Sequence, residues 1–143
     1  MKLIKEMKIK VVSEITNLSP SGAPEGEPEI SEERAEAFLH FSDGELLISY
    51  RTDSEGGEVT TDITVRDGRV LVVRRGAVGC DFLFEEGKEH RSVYSVGPYS
   101  FDASVMARRI RLGIGEHGGR IDLYYGMNIG GADKYVKMKI VAE

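Results

Sequence analysis

Alternation between apolar and polar residues, interrupted by regularly spaced turn signals, constrains the fold of this chain most. Between the signals at 56–57 and 67–68, residues 59–65 place apolar and threonine side chains on one face and polar side chains on the other. A period of two is typical of a β-strand. The polar face indicates an antiparallel sheet with one side in water. The same alternation recurs in three later segments, 99–105, 121–127 and 136–140.

Glycine-containing turn signals divide the whole chain into short segments of roughly 10–12 residues, the spacing of a sandwich or barrel. Because an open sheet of many strands would expose two edges, we predict closure. The predicted fold is all-β, a single closed antiparallel β-barrel of about 8–10 strands with meander topology. We expect some adjacent segments to be parts of one bent strand, which reduces eleven segments to about 8–10 strands. The predicted segments are 5–16, 34–42, 45–53, 58–66, 69–75, 79–86, 89–96, 99–106, 109–116, 119–127 and 134–142.

The chain of 143 residues is predicted to form one domain, 1–143. Segment 18–30 holds three of the four prolines and no apolar periodicity, so we predict a flexible Pro/Glu-rich loop there. Cys80 is the single cysteine and is interpreted as a small buried residue rather than a reactive thiol. No apolar run has the length of a membrane span or secretory segment, which predicts a cytoplasmic protein without a membrane partner.

Two segments leave alternatives. Segment 31–42 is compatible with a short helix capped by Ser31, but its alternation at 35–41 favours a strand. In 99–117 the inward positions change from odd to even numbers. A bulge or corner near Ala107-Arg108 is therefore predicted, because a one-residue slip turns every following side chain to the other face.

Charge and motifs argue against several classes of function. The net charge of −5 disfavours nucleic-acid binding, which usually needs a basic face. His40, His90 and His117 are scattered, so no metal site is predicted. No nucleophile elbow or phosphate loop occurs in the sequence. We predict no cofactor and name no catalytic residue, and a non-enzymatic role is favoured over an enzymatic one.

Large polar residues in the middle of predicted barrel strands are the candidate ligand-binding residues. Tyr50 is in step with the apolar positions Leu46 and Ile48, and Arg74 ends the run 70–73, whose two faces are both apolar. His90 and Tyr94 share one face of a mixed polar strand. A buried arginine needs a carboxylate, carbonyls or an anion as its partner. One interpretation is a lumen in which these four residues surround a small polar or anionic ligand. The alternatives are a salt-bridged plug and an outward-facing basic stripe.

From residue 45 onward the chain resembles the YwiB-like bacterial family of unknown function. The resemblance rests on Tyr50, Glu58–Val65, Arg74–Gly76, Phe82–Gly87, Tyr94, Gly97–Tyr99, Ile121–Tyr124 and Val136–Ile140. It implies a calycin-type, lipocalin-like β-barrel in a bacterial protein. It implies no established activity, so no catalytic residue carries over.

Three hypotheses for function follow from the sequence. The first is a binding module that holds a small molecule in the lumen, since barrels of this size either fill their interior or hold one small ligand. The second is a homodimeric structural or interaction module without a ligand. The third is an enzyme that uses the lumen histidine and tyrosine.

Overall fold

The computed structural model describes residues 2–143, which form ten β-strands and no helix. The strands are β1 (Lys2–Leu18), β2 (Pro24–Ser42), β3 (Glu45–Ser54), β4 (Gly57–Arg66), β5 (Arg69–Gly76), β6 (Val78–Phe84), β7 (Glu89–Val96), β8 (Tyr99–Gly115), β9 (Gly118–Ile129) and β10 (Ala132–Ala142).

All ten strands belong to one closed sheet. Each strand pairs antiparallel with its neighbours in sequence, and β1 also pairs with β10. This confirms the predicted closed antiparallel meander. We call the end that carries the β1–β2, β3–β4, β5–β6, β7–β8 and β9–β10 turns the upper end. The lower end carries the other four connections, together with Lys2 and Glu143.

The period-two pattern determines which side chains fill the barrel. On most strands the apolar set points inward, and β7 is the exception, with Val93 and Val96 exposed. Below the cavity described in the next subsection, many of the inward side chains have almost no exposure. These fully buried side chains are aliphatic: Leu39, Ile48, Ile63, Val70, Ile121, Leu123 and Ile140. Burial of this much apolar surface is the main source of stability in such a fold.

The predicted bulge lies in β8, where the ladder with β9 shifts register between Ala107 and Arg109. The unpaired backbone there is satisfied from the β6–β7 connection. The Ile110 N–H donates to Glu86 Oε1 at 2.9 Å, and the Gly87 N–H donates to the Ala107 carbonyl at 2.8 Å. The predicted strands 99–106 and 109–116 are therefore one bent strand.

The N-terminal third differs from the prediction in one respect. Segment 31–42 is a strand, as favoured, but the predicted loop 18–30 is largely ordered as well. Only residues 19–23 connect β1 to β2, and β2 begins at Pro24. Proline-rich composition was misleading here. An edge strand tolerates proline because one side of its backbone has no hydrogen-bond partner to lose. The ladder between β2 and β3 indeed ends at Ala37↔Tyr50, so residues 24–36 have no partner on that side. Their ladder with β1 shifts register between Ile15↔Glu29 and Asn17↔Glu25.

Candidate functional site

The upper half of the lumen contains a cavity of about 240 Å³. Most of its lining is apolar or aromatic, and exposed Ser31 marks its open side toward the upper end. The lining residues are Val11, Ser13, Ile15, Ser31, Glu33, Val72, Arg74, Cys80, Phe82, Phe84, Tyr94, Tyr125, Met127, Ile129, Val136 and Met138. An apolar pocket with a few convergent polar groups is the usual form of a small-molecule site.

A charged pair lies within this apolar lining. Arg74 continues the inward set Val70 and Val72 of β5, and Glu33 continues the inward set of β2. Strands β3 and β4 lie between these two strands, and the two side chains meet with Arg74 Nη2 3.1 Å from Glu33 Oε1. Burial lowers the pKa of Arg74, but the Glu33 carboxylate and Tyr50 more than offset this and leave it raised. Arg74 is therefore a permanent cation inside the barrel.

Tyr50 and Thr61 stand beside Arg74 on the wall, without lining the cavity themselves. They are directly opposite each other on β3 and β4, and Thr61 is also opposite Arg74. Both are buried, and neither hydroxyl makes a hydrogen bond of good geometry within residues 2–143. Burial and the nearby Glu33 carboxylate raise the pKa of Tyr50 to about 12. Such unsatisfied buried hydroxyls are rare and costly, so they mark this wall as unusual.

Aromatic rings form the opposite wall of the cavity. The Tyr94 ring stacks on Phe82 with 6.5 Å between centroids, and Phe84 contacts Tyr125 at 4.6 Å. Burial raises the pKa values of Tyr94, Tyr125 and Cys80, so all three are protonated at neutral pH. The Cys80 thiol is buried and lines the cavity, in keeping with its interpretation as a small apolar residue.

His90 lies outside this group, in a gap between β6 and β7. Their ladder consists of only two pairs, Val78↔Val96 and Gly79↔Ser95. Below them, side chains bridge the two strands in place of the backbone. Ser92 Oγ donates to Asp81 Oδ1, and His90 Nε2 lies 3.1 Å from Glu85 Oε1. The polar residues of this strand therefore face a gap in the wall, and His90 does not line the cavity.

Of the four sequence-predicted residues, the structure thus places Arg74 and Tyr94 on the cavity, Tyr50 beside it and His90 at the β6–β7 gap. Sequence analysis missed Glu33. A signal for it existed, because the alternation at 35–41 extends back two residues and points Glu33 inward.

The remaining chemistry of the barrel is limited. Within residues 2–143, no three histidine, cysteine or carboxylate side chains converge in a way that could hold a metal ion. None of these residues forms a helix long and apolar enough to cross a membrane. The cavity therefore offers one cation, one carboxylate, hydroxyl groups and apolar walls.

Comparison with known proteins agrees with this architecture. Residues 15–140 match the family described as Domain of unknown function (DUF1934). The chain belongs to the DUF1934 family. This confirms the resemblance found in the sequence.

One protein of known sequence and one crystal structure are also similar to this chain. The chain is 27% identical over 112 residues to the uncharacterized beta-barrel protein YwiB of Bacillus subtilis (strain 168), covering 78% of this chain and 79% of that protein. The crystal structure of the Bacillus subtilis ywiB protein superimposes with a TM-score of 0.79 at 26% identity, covering 98% of this chain and 94% of that one. The description of the YwiB protein names a barrel, and none of these descriptions names an activity.

Proposed function

We propose that this protein binds a small amphipathic molecule in the upper half of its barrel. The observation that carries the proposal is the Arg74–Glu33 pair inside an otherwise apolar cavity of about 240 Å³. Burying a charged pair costs desolvation energy that apolar side chains of similar volume would avoid. This cost is explained if the pair binds a ligand whose polar group contacts Arg74 and Glu33 and whose apolar body packs against the aromatic wall.

Two further features support a ligand over a packed plug. Apolar side chains continue past the cavity to the upper rim, where Val96, Tyr99 and Phe101 of the β7–β8 hairpin are exposed. A calycin-type barrel, which the sequence resemblance implies, is also of a size that holds one small ligand. The cavity volume lies below the ~300–1,000 Å³ of drug-sized sites, so the ligand is small.

Native mass spectrometry of the chain purified from cells of its own organism tests this proposal. We expect a co-purifying mass that disappears in Ser31→Phe, because the ring would occupy the cavity entrance. The matched control is Ser104→Phe, on the outward face of β8, which should retain that mass. A bare chain in the wild-type spectrum, or a mass that persists in Ser31→Phe, would contradict lumen binding.

The other two hypotheses receive less support. An enzyme using lumen residues would need His90 at the cavity, and His90 instead contacts Glu85 at the β6–β7 gap. Homodimerisation, a cytoplasmic location and the lack of nucleic-acid or membrane partners stay predictions.

A further inference from the structure

Arg74 has more hydrogen-bond donors than partners. A guanidinium carries five N–H groups, and within residues 2–143 its side-chain partner is Glu33 alone. The planar fork of arginine suits carboxylates, to which it donates two parallel hydrogen bonds. The unused donors of Arg74 therefore suit a second planar acceptor that enters the cavity.

Glu33 determines which acceptor can take that place. Arg74 and Glu33 are the two charged side chains among the lining residues, so the pair leaves the lining without net charge. A ligand carboxylate on Arg74 would lie next to the Glu33 carboxylate, and two like charges at such a distance repel strongly. A carboxylate ligand must therefore displace Glu33.

The structure provides a second place for the Glu33 side chain. Glu33 also lines a cleft of about 400 Å³ on the outside of the barrel, between the diverging ends of β2 and β3. Thr52 Oγ1 in this cleft already lies 3.5 Å from Glu33 Oε2. Two arginines and three further carboxylates, Arg34, Arg51, Glu32, Asp53 and Glu58, also line the cleft. Arg34 pairs with Glu32, whereas Arg51 makes no ion pair within the part of the chain that the structure describes, so its charge is available to Glu33. Because the β2–β3 ladder ends at Ala37, no cross-strand hydrogen bond holds Glu33 on that side.

We propose that the lumen ligand is a small carboxylate with a compact apolar body, and that Glu33 occupies its position on Arg74 until the ligand displaces it. The displaced Glu33 side chain turns into the outer cleft toward Arg51. The apolar body of the ligand packs against Phe82 and Tyr94. This inference rests on the proposed function and adds to it the class of ligand and a side chain that competes with it.

Methionine methyl groups provide the readout. Of the five methionines, Met127 and Met138 line the cavity, whereas Met7 and Met106 do not and serve as references. The full chain carrying ¹³C-methyl methionine is titrated by NMR with benzoate and with its neutral counterpart benzamide. In Glu33→Gln we expect benzoate to bind at least about tenfold more tightly than in wild type, since the repelling charge is gone, while benzamide affinity changes little. Unchanged or weaker benzoate binding in Glu33→Gln would overturn the inference.

Arg51→Gln is an independent test that leaves the lumen pair intact. Because displaced Glu33 would lose its outer partner, we expect benzoate to bind roughly threefold more weakly and benzamide to bind equally well. Equal effects on both probes would contradict the displacement. If benzamide and benzoate both shift Met127 and Met138 but no variant separates them, lumen binding stands and the carboxylate inference fails. If neither probe shifts these signals in any variant, both the ligand class and the proposed lumen site fail.

Discussion

The lower and upper halves of this barrel are built by the same strands but are filled differently. Strand β5 contributes Val70 and Val72 to the lower and middle lumen and Arg74 to the upper lumen. The lower half contains most of the aliphatic side chains that have almost no exposure, whereas the upper half contains a cavity, an ion pair and two buried hydroxyls without hydrogen bonds of good geometry. Alternation along a strand thus determines which side chains face inward. Their position along the barrel axis determines whether they pack in the core or line the cavity.

This division separates stability from function. Apolar burial in the lower half stabilises the fold, and each polar group placed inside the upper half costs part of that stability. Functional sites commonly retain such unfavourable groups because the rest of the fold offsets them.

The largest expected effect comes from a cavity made in the packed half. Leu39→Ala should lower the free energy of unfolding by about 3 kcal/mol, because Leu39 is fully buried and its neighbours cannot close the space. Met127→Ala, beside the existing cavity, should cost only about 1 kcal/mol, because its side chain already borders empty space. Urea denaturation of both variants measures the difference. Equal losses would mean that the halves do not differ in packing.

A double-mutant cycle across the ion pair has the next largest effect. Arg74→Met should cost about 2 kcal/mol, since it leaves the Glu33 carboxylate inside the barrel without its cation. Combining it with Glu33→Gln should recover roughly half of that loss, because the unpaired charge is gone. The free energies of unfolding of the two single variants and the double variant give the coupling. Strict additivity would show that Glu33 and Arg74 are independent and that the upper half tolerates an isolated charge.

The smallest effect at neutral pH is expected at Tyr50. Its pKa in the folded state is about 12, above the ordinary value, so its contribution to stability is complete below about pH 10 and is lost as the pH rises toward 12. Tyr50→Phe should change stability by less than about 1 kcal/mol at pH 7, because the hydroxyl makes no hydrogen bond of good geometry. Between pH 9 and 12 the variant should lose less stability than wild type, by on the order of 2 kcal/mol.

Exposed Tyr99→Phe is the matched control for that comparison and should follow the wild-type pH profile. Denaturant titrations at a series of alkaline pH values measure all three proteins. If Tyr50→Phe and wild type lose stability in parallel, the Tyr50 phenol is not the group that couples alkaline pH to unfolding.

Much of the fold could be predicted from local pattern, because period-two alternation and turn residues are properties of short segments. The inward orientation of Tyr50 followed from its parity with Leu46 and Ile48, whereas the run 70–73 is apolar on both faces and left the orientation of Arg74 open. The parity change in 99–117 also located the β8 bulge, since a register slip leaves a trace in the alternation.

The errors at the site have a common physical cause. His90 was grouped with the lumen residues by parity alone, but parity does not report that the β6–β7 ladder is interrupted beside it. Glu33 was missed because proline and glutamate obscured the strand that carries it. In both cases the deciding fact is which strand edges are left unpaired, and that depends on contacts between strands rather than on either strand alone.

The free edge of β2 has a consequence for how copies of this protein meet one another. Residues 24–36 present backbone groups that another strand could join, and such an edge is a template for polymerisation. Pro24 and Pro28 lack the N–H needed for pairing. The glutamates at 25, 27 and 29 make two such edges repel each other. A composition that resembles a linker therefore disfavours strand pairing with a second chain at the split in the barrel wall.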